Sequence, residues 1–238
     1  MSGLALKNVD FSYQEKSILK NLTLNIESGQ LVCLLGPSGC GKSTLLRLFA
    51  GLLKPTSGEL RLQDGRLSFV FQDARLLPWK NVIENVLFPF EISGEPAADP
   101  EDVLRRVGLW EARHLYPHQL SGGMKQRVSI ARAAITEPQL LLMDEPFSAL
   151  DESTRQDLEE LLREFWAQTR ITVVFVTHSL PEAVFLGERV LVMGANGKIL
   201  SDEKPQFLKR TPDLRTSTEF NEKVRQMSKL LRSARGPA

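Results

Sequence analysis

The 238-residue chain reads as an α/β protein with a parallel sheet at its core, and three observations predict that class. A glycine-rich loop, Gly36-Pro37-Ser38-Gly39-Cys40-Gly41-Lys42-Ser43-Thr44, follows the short apolar run Leu31 to Leu35. Three more apolar runs of strand length, Leu140 to Met143, Thr172 to Val176 and Val190 to Met193, are separated by segments of helical pattern. Buried parallel strands read as continuous apolar runs, and strands alternating with helices form a parallel α/β core. Ahead of the loop, Leu4 to Tyr13 and Leu22 to Ile26 alternate instead, as half-buried antiparallel strands do.

Taken in order, those first two strands are followed by a turn at Ser28-Gly29 and then by Leu31 to Leu35. The glycine loop fits GxxxxGK[ST] in full, and Leu45, Leu46, Leu48 and Phe49 after it give one helical face that Gly51 can end. Strand, loop and helix aim backbone N–H groups from a positive helix terminus, which suits phosphate. In that pattern Lys42 reaches the β- and γ-phosphates and the Ser43 hydroxyl ligates Mg²⁺.

Gly58 to Leu62 and Leu67 to Phe71 read as two short strands turned at Asp64-Gly65. Gln72, at the end of the second, could reach both Mg²⁺ and an attacking water; a lone glutamine would read as a surface residue. The nearest thing to a linker is Ser93 to Pro100. Asp99-Pro100-Glu101-Asp102 opens a helix with a cap, a proline at its first position and acidic first-turn residues, and Gly108 closes it. A second glycine motif follows, Leu120-Ser121-Gly122-Gly123-Met124-Lys125-Gln126, with no phosphate to meet within its own monomer.

The run from Leu140 ends in two carboxylates. Asp144 would hold Mg²⁺, directly or through water, and Glu145 would polarise the attacking water. His178 ends the run from Thr172, where it could hydrogen-bond the γ-phosphate and orient Glu145; alone it would read as structural. Ser179-Leu180-Pro181-Glu182 has the form of a capping box. In the tail, Phe220, Val224, Met227 and Leu231 mark one helical face, with Lys223, Arg225, Lys229 and Arg232 elsewhere. That basic amphipathic helix could lie on anionic lipid or a partner, or pack on its own domain.

Composition bounds the function. Thirty Lys and Arg balance 29 Asp and Glu, a formal net charge of +1, so no global field argues for nucleic acid. No apolar run approaches the roughly 18 residues needed to span a bilayer, and Met1 to Lys7 lacks the pattern of a signal peptide, so a cytosolic chain is expected. Cys33 and Cys40 suggest neither a disulfide framework nor a metal site. Cys40 is either a reactive thiol or a small residue tolerated in the loop.

Together these motifs resemble the nucleotide-binding subunit of an ABC transporter, over nearly the whole chain and in the family's order. Tyr13 matches the adenine-stacking aromatic, Gly36 to Thr44 the Walker A loop, and Gln72 the Q-loop. Ser121 to Gln126 match the family signature, with Met124 where glutamine is usual; Leu140 to Glu145 match Walker B. Ser148 to Asp151 match the D-loop and His178 the switch histidine. The resemblance implies a P-loop NTPase core over 1–72 and 137–212, carrying an N-terminal antiparallel β subdomain. It also implies an inserted α-helical subdomain over 73–136, and leaves 213–238 for the C-terminal helix.

It further implies ATP and Mg²⁺ as cofactors and a homodimer packed head to tail. Each ATP would lie between Walker A of one copy and Ser121, Gly122 and Gly123 of the other. Partners would be integral membrane permease subunits and, indirectly, an extracytoplasmic solute-binding protein. Nucleic acid is not expected, and the place would be the cytoplasmic face of the inner or plasma membrane, peripherally bound. Phe71 to Val82 and Thr177 to Leu186 look like the nitrate, sulfonate and taurine importer branch, which implies uptake of a small anionic solute. Leu76, Leu77 and Trp79 would then line the groove for a permease coupling helix, or else belong to the core. Other classes are a soluble ABC ATPase acting on nucleic acid or ribosomes, and a phosphate-loop kinase. The first usually shows two cassettes or long inserted coiled coils, and the second has no use for the signature and D-loop.

Overall fold

The computed structural model describes residues 3–62 and 64–234. Strands β1 (Leu4–Tyr13) and β2 (Lys16–Ile26) form an antiparallel hairpin, joined on the other edge of β1 by β4 (Ser57–Arg61). Between them in sequence come β3 (Leu31–Leu35) and α1 (Lys42–Phe49). β5 (Leu67–Val70) leads to α2 (Val82–Ser93), α3 (Glu101–Arg106) and α4 (Gly122–Ala134). Then follow β6 (Leu140–Asp144), α5 (Glu152–Thr169), β7 (Thr172–Thr177), α6 (Leu180–Leu186), β8 (Arg189–Met193), β9 (Ile199–Glu203) and α7 (Thr218–Ala234). The larger sheet has the order β5-β6-β7-β3-β8-β9, with every neighbouring pair parallel except β8 and β9.

Alternation along β3 shows how the layers form. Leu31, Cys33 and Leu35 face one apolar cluster, shared with Trp166 of α5, Phe185 of α6 and Met227 of α7. Val32 and Leu34 face the other, shared with α1 and the antiparallel sheet. Period-two alternation in a strand covered on both sides requires apolar residues at every position, and all five residues of β3 are buried. A third cluster, built from Val86, Leu104, Val128 and their neighbours, holds α2, α3 and α4 together.

Three sequence expectations change. The turn at Asp64-Gly65 does not close a hairpin: β4 joins β1, whereas β5 pairs in parallel with β6. Leu67 to Val70 has apolar residues to offer the large sheet, and the Arg66 N–H is tied to the Gln139 side chain at 2.6 Å, just before β6. β2 begins at Lys16 rather than Leu22, because Gln14 adopts a positive φ and closes a tight turn with Tyr13 opposite Lys16. β9 is an antiparallel edge strand that the sequence reading did not include.

Other local expectations match. Asp99 Oδ1 accepts the Glu101 N–H at 2.9 Å, although Pro100 takes the cap position and Glu101 the first helical one. Gly108 stands at φ 69° just past that helix. The tail helix packs on its own domain: Phe220 and Met227 are buried, and Val224 and Leu231 lie against the same cluster. Residues 235–238 of the expected tail lie outside the described residues. No helix among those described is long and apolar enough to cross a membrane. Met227→Ala should therefore lower stability by about 2–4 kcal/mol in urea unfolding; an unchanged midpoint would mean that α7 contributes nothing to the core.

Candidate functional site

The carboxyl ends of β3, β6 and β7 lie side by side, where ligands of open α/β sheets bind. Register places them there: Leu35 is paired with Thr177, and Asp144 with Val176. The glycine loop leaves β3 at Gly36, whose added Cβ would come within 2.4 Å of the Met193 carbonyl oxygen, so only glycine fits. Gly41 stands at φ 106° where α1 begins. Lys42 is buried, and its Nζ donates to the Gly36 carbonyl at 2.8 Å and the Pro37 carbonyl at 3.1 Å. Its charge is thereby held inside the loop formed by Pro37, Ser38, Gly39 and Cys40, with Thr44 buried on the helix behind.

Ser43 Oγ donates to Asp144 Oδ1 at 3.1 Å, joining the helix start to the end of β6. Burial pushes the Asp144 carboxyl up, opposed by the Ser43 hydrogen bond and reinforced by Glu145. A hydroxyl and a carboxylate are hard oxygen donors of the kind Mg²⁺ takes from proteins while keeping waters and substrate phosphate. The hard-donor character of this pair fits a cation that takes its remaining ligands from water and phosphate; among the described residues no group of three or more His, Cys, Asp or Glu could hold a metal.

Glu145 has a positive φ of 47°, a strained conformation for this residue. Three bonds hold it: its N–H donates to the Val176 carbonyl at 3.0 Å, and its carbonyl accepts from Ser148 Oγ at 2.9 Å and from the Ser148 N–H at 3.3 Å. Turned this way, its Oε2 lies 3.0 Å from Nδ1 of His178, which follows β7. Gln72 is exposed just beyond β5 and lines one cleft with Arg47, Gly122, Lys125 and Asp144. No residue of the 36–44 loop lines that cleft.

Tyr13 stands at the hairpin end, 41% exposed, edge-on to Phe11, with its hydroxyl accepting from Arg47 at 3.4 Å. Ser121 caps α4 from extended backbone, its Oγ accepting the Met124 N–H at 3.2 Å. The two signature glycines differ. A Cβ at Gly122 would meet only Leu150, at 3.6 Å, whereas one at Gly123 would come within 2.3 Å of Thr154 on α5. The groove over Pro37 to Cys40 is completed by Lys16, Ser17, Ile18, Ala195 and Asn196, and by nothing from 121–123.

One open alternative is decided here and one expectation is corrected. Burial pushes the Cys40 thiol up, against the nearby Lys42 charge, which favours the small tolerated residue over the reactive thiol. The capping box before α6 is half made. Ser179 Oγ accepts the Glu182 N–H at 3.4 Å, but the Ser179 N–H goes to Thr177 Oγ1 at 2.9 Å. Of the apolar trio after Gln72, Leu76 packs on the helical cluster, while Trp79 is 70% exposed. The sequence named Gln126 only as the end of the signature; in the structure it is buried and donates to the Phe71 carbonyl at 3.2 Å beside Gln72. Ser148 and Thr177 entered the sequence reading only as members of the D-loop and importer-branch matches, and their bonds to Glu145 and Ser179 come from the structure.

A parallel sheet with this loop at the end of β3 and Asp144 at the end of β6 defines a P-loop NTPase. A family model described as ABC transporter matches residues 19–148. The aliphatic sulfonates import ATP-binding protein SsuB 3 of Pseudomonas savastanoi pv. phaseolicola is 46% identical over 197 residues, 80% of this chain and 72% of that protein. An uncharacterized ABC transporter ATP-binding protein of Methanocaldococcus jannaschii is 40% identical over 95% of this chain and 88% of its own length. The dimeric structure of a bacterial ABC transporter cassette superimposes with a TM-score of 0.75 and 34% identity, over 86% of this chain and 100% of that one. A post-hydrolysis state of an ATP-binding cassette, with ADP and Pi bound, gives a TM-score of 0.73 at 34% identity over the same shares. The chain therefore belongs to the ABC transporter family, as an ATP-binding subunit that hydrolyses ATP.

Glu182 yields a test of the electrostatics around the site. Burial, with Glu159 and Glu145 adding to it and Thr177 and Arg155 opposing, pushes its carboxyl up to about 8; Cys33 also faces it. An unfolded glutamate titrates near about 4.3, so between those values the folded chain holds the extra proton. The contribution to stability is full below the unfolded value and is lost as pH rises through the folded one. Thermal unfolding from pH 5 to 9 should show that decline, and Glu182→Gln should flatten it by roughly 1–3 kcal/mol at the alkaline end.

Proposed function

We propose that two copies of this chain pack head to tail and hydrolyse ATP at two shared sites, powering uptake of a small anionic solute through a separate membrane permease. The observation that carries the reading is the division of the site. The phosphate loop, Ser43, Asp144, Glu145 and His178 gather at one edge of the sheet. The Ser121-capped start of α4 takes no part in the groove over Pro37 to Cys40, although Gly122 shares a cleft with Gln72 and Asp144. A helix N-terminus offers backbone N–H groups to an anion, and here the γ-phosphate of an ATP bound to the second copy would supply it.

Within each copy, Gly36 to Thr44 hold the phosphates and Lys42 neutralises their charge, while Tyr13 stacks on the adenine. Ser43 and Asp144, with Gln72, would hold Mg²⁺, which when bound screens the phosphate charge. Glu145 accepts a hydrogen bond from the attacking water and aims it in line with the γ-phosphorus, and ADP leaves with the bridging oxygen. His178 orients Glu145 and hydrogen-bonds the γ-phosphate, while Ser121, Gly122 and Gly123 of the second copy hold that phosphate from the far side. In this scheme the core over 1–72 and 137–212 carries hydrolysis, the helical subdomain over 73–136 supplies the signature to the second copy and the contact with the permease, and the tail over 213–238 packs on the core.

The relatives named for aliphatic sulfonate import support a sulfonate-like solute, met by the permease and a solute-binding protein rather than by this subunit. The exposed Trp79, beside the half-buried Leu76 and Leu77, suits the groove for a permease helix. The net charge of +1 gives no support to a nucleic-acid or ribosomal partner. The subunit would work at the cytoplasmic face of the membrane.

Lys42→Ala should weaken ATP binding at least tenfold in calorimetric titration; unchanged affinity would remove Lys42 from the phosphate site. Glu145→Gln should bind ATP normally, lose about a hundredfold or more in hydrolysis, and accumulate as an ATP-dependent dimer in sedimentation. Rapid turnover by that variant would remove Glu145 as the water-orienting residue.

A further inference from the structure

Glu182 is buried beside the site, at the third position of α6, and the scheme above gives it no task. Glu159, the other deeply buried carboxylate, pairs with Arg215 at 2.8 Å, and that pair fastens the segment before α7. Glu182 instead takes a hydrogen bond with the Thr177 side chain. The Thr177 hydroxyl accepts the Ser179 N–H at 2.9 Å, and Ser179 Oγ accepts the N–H of Glu182 itself at 3.4 Å. Both residues that flank His178 in sequence are thus tied to Glu182, one through its side chain and one through its backbone.

His178 is exposed, and its imidazole reaches Glu145 Oε2 at 3.0 Å. A ring exposed to solvent is not aimed by packing around it, so its direction must come from the backbone that carries it. We propose that Glu182 is a positioning residue for hydrolysis: its side chain holds the Thr177 hydroxyl, which in turn holds the Ser179 N–H, and so sets the turn from which His178 reaches Glu145. The proposal rests on the reading of His178 as the residue that orients Glu145. Burial keeps the Glu182 carboxyl largely protonated near neutral pH, so a glutamine can occupy the same space and make the same bond to Thr177.

The test is single-turnover phosphate release from ATP by the full-length chain, which resolves slow residual rates, together with steady-state kcat and KM. Glu182→Ala should lower kcat about tenfold, the scale of a small misplacement of a reacting group, with KM for ATP changed less than about twofold. Glu182→Gln should restore most of that loss. In a His178→Ala background, Glu182→Ala should have no further effect, because both changes remove one interaction. Equal losses in the two backgrounds, or a Glu182→Ala loss carried by KM, would overturn the positioning role and leave that of His178 standing. An undiminished rate in His178→Ala alone would instead remove the reading on which the proposal rests. Should Glu182→Ala fail to fold, Thr177→Val removes the shared hydroxyl at nearly constant volume and carries the same expectations.

Discussion

The parallel register of β3, β7 and β6 is the constraint on which the rest of the structure depends. Pairing Leu35 with Thr177 and Val176 with Asp144 brings three chain ends to one edge of the sheet. From those ends the phosphate loop, the Asp144-Glu145 pair and His178 emerge within reach of one another. A slip of one residue would turn each strand's side chains to the opposite face. Such a slip is strongly opposed here, because β3 is buried on both sides and its alternate residues belong to two different apolar clusters. The contacts at the edge, Ser43 to Asp144 and Glu145 to His178, follow from that register.

A second set of bonds joins the helical cluster to the sheet. Gln126 of α4 donates to the Phe71 carbonyl, and Arg132 of the same helix donates to the carbonyls of Ala74 and Arg75. The segment after β5, which carries Gln72, is therefore bonded to the helix that Ser121 caps. At the start of α4, Gly123 lies so close to Thr154 that a side chain would have to displace it, and the Thr154 N–H in turn donates to the Asp151 cap. The signature segment and the segment after Glu145 are packed against each other for steric reasons. Gly122, one residue earlier, has room, so its glycine character is not explained by contacts within the chain.

Much of this was legible in the sequence because it depends on local chemistry. The continuous apolar strands, the Gly36 to Thr44 loop, the Ser179 cap and the αL glycines at 51 and 108 each declare themselves within a few residues. What was not legible depends on distant partners. Asp64-Gly65 looks like a hairpin turn until Gln139 and β6 are seen to take β5 away. Ser179 to Glu182 looks like a full capping box until Thr177 takes the Ser179 N–H. The positive φ of Glu145 has no signal in a residue that rarely adopts it; it depends on bonds to Val176 and Ser148. The amphipathic tail was ambiguous because an apolar face states that something covers it, not what; here the cover is the domain's own core.

The central claim is that each ATP site is shared between two copies, and mixing two defective chains tests it most directly. Lys42→Ala damages the phosphate-loop half of a site, and Gly122→Asp the signature half, at a position where the single chain has room for a side chain. In a head-to-tail dimer of the two variants, one site collects both defects and the other is intact. Phosphate release by the mixture should then rise well above that of either variant alone. A mixture no more active than its components would contradict the account, because a site contained within one chain cannot be repaired by a partner that is itself defective.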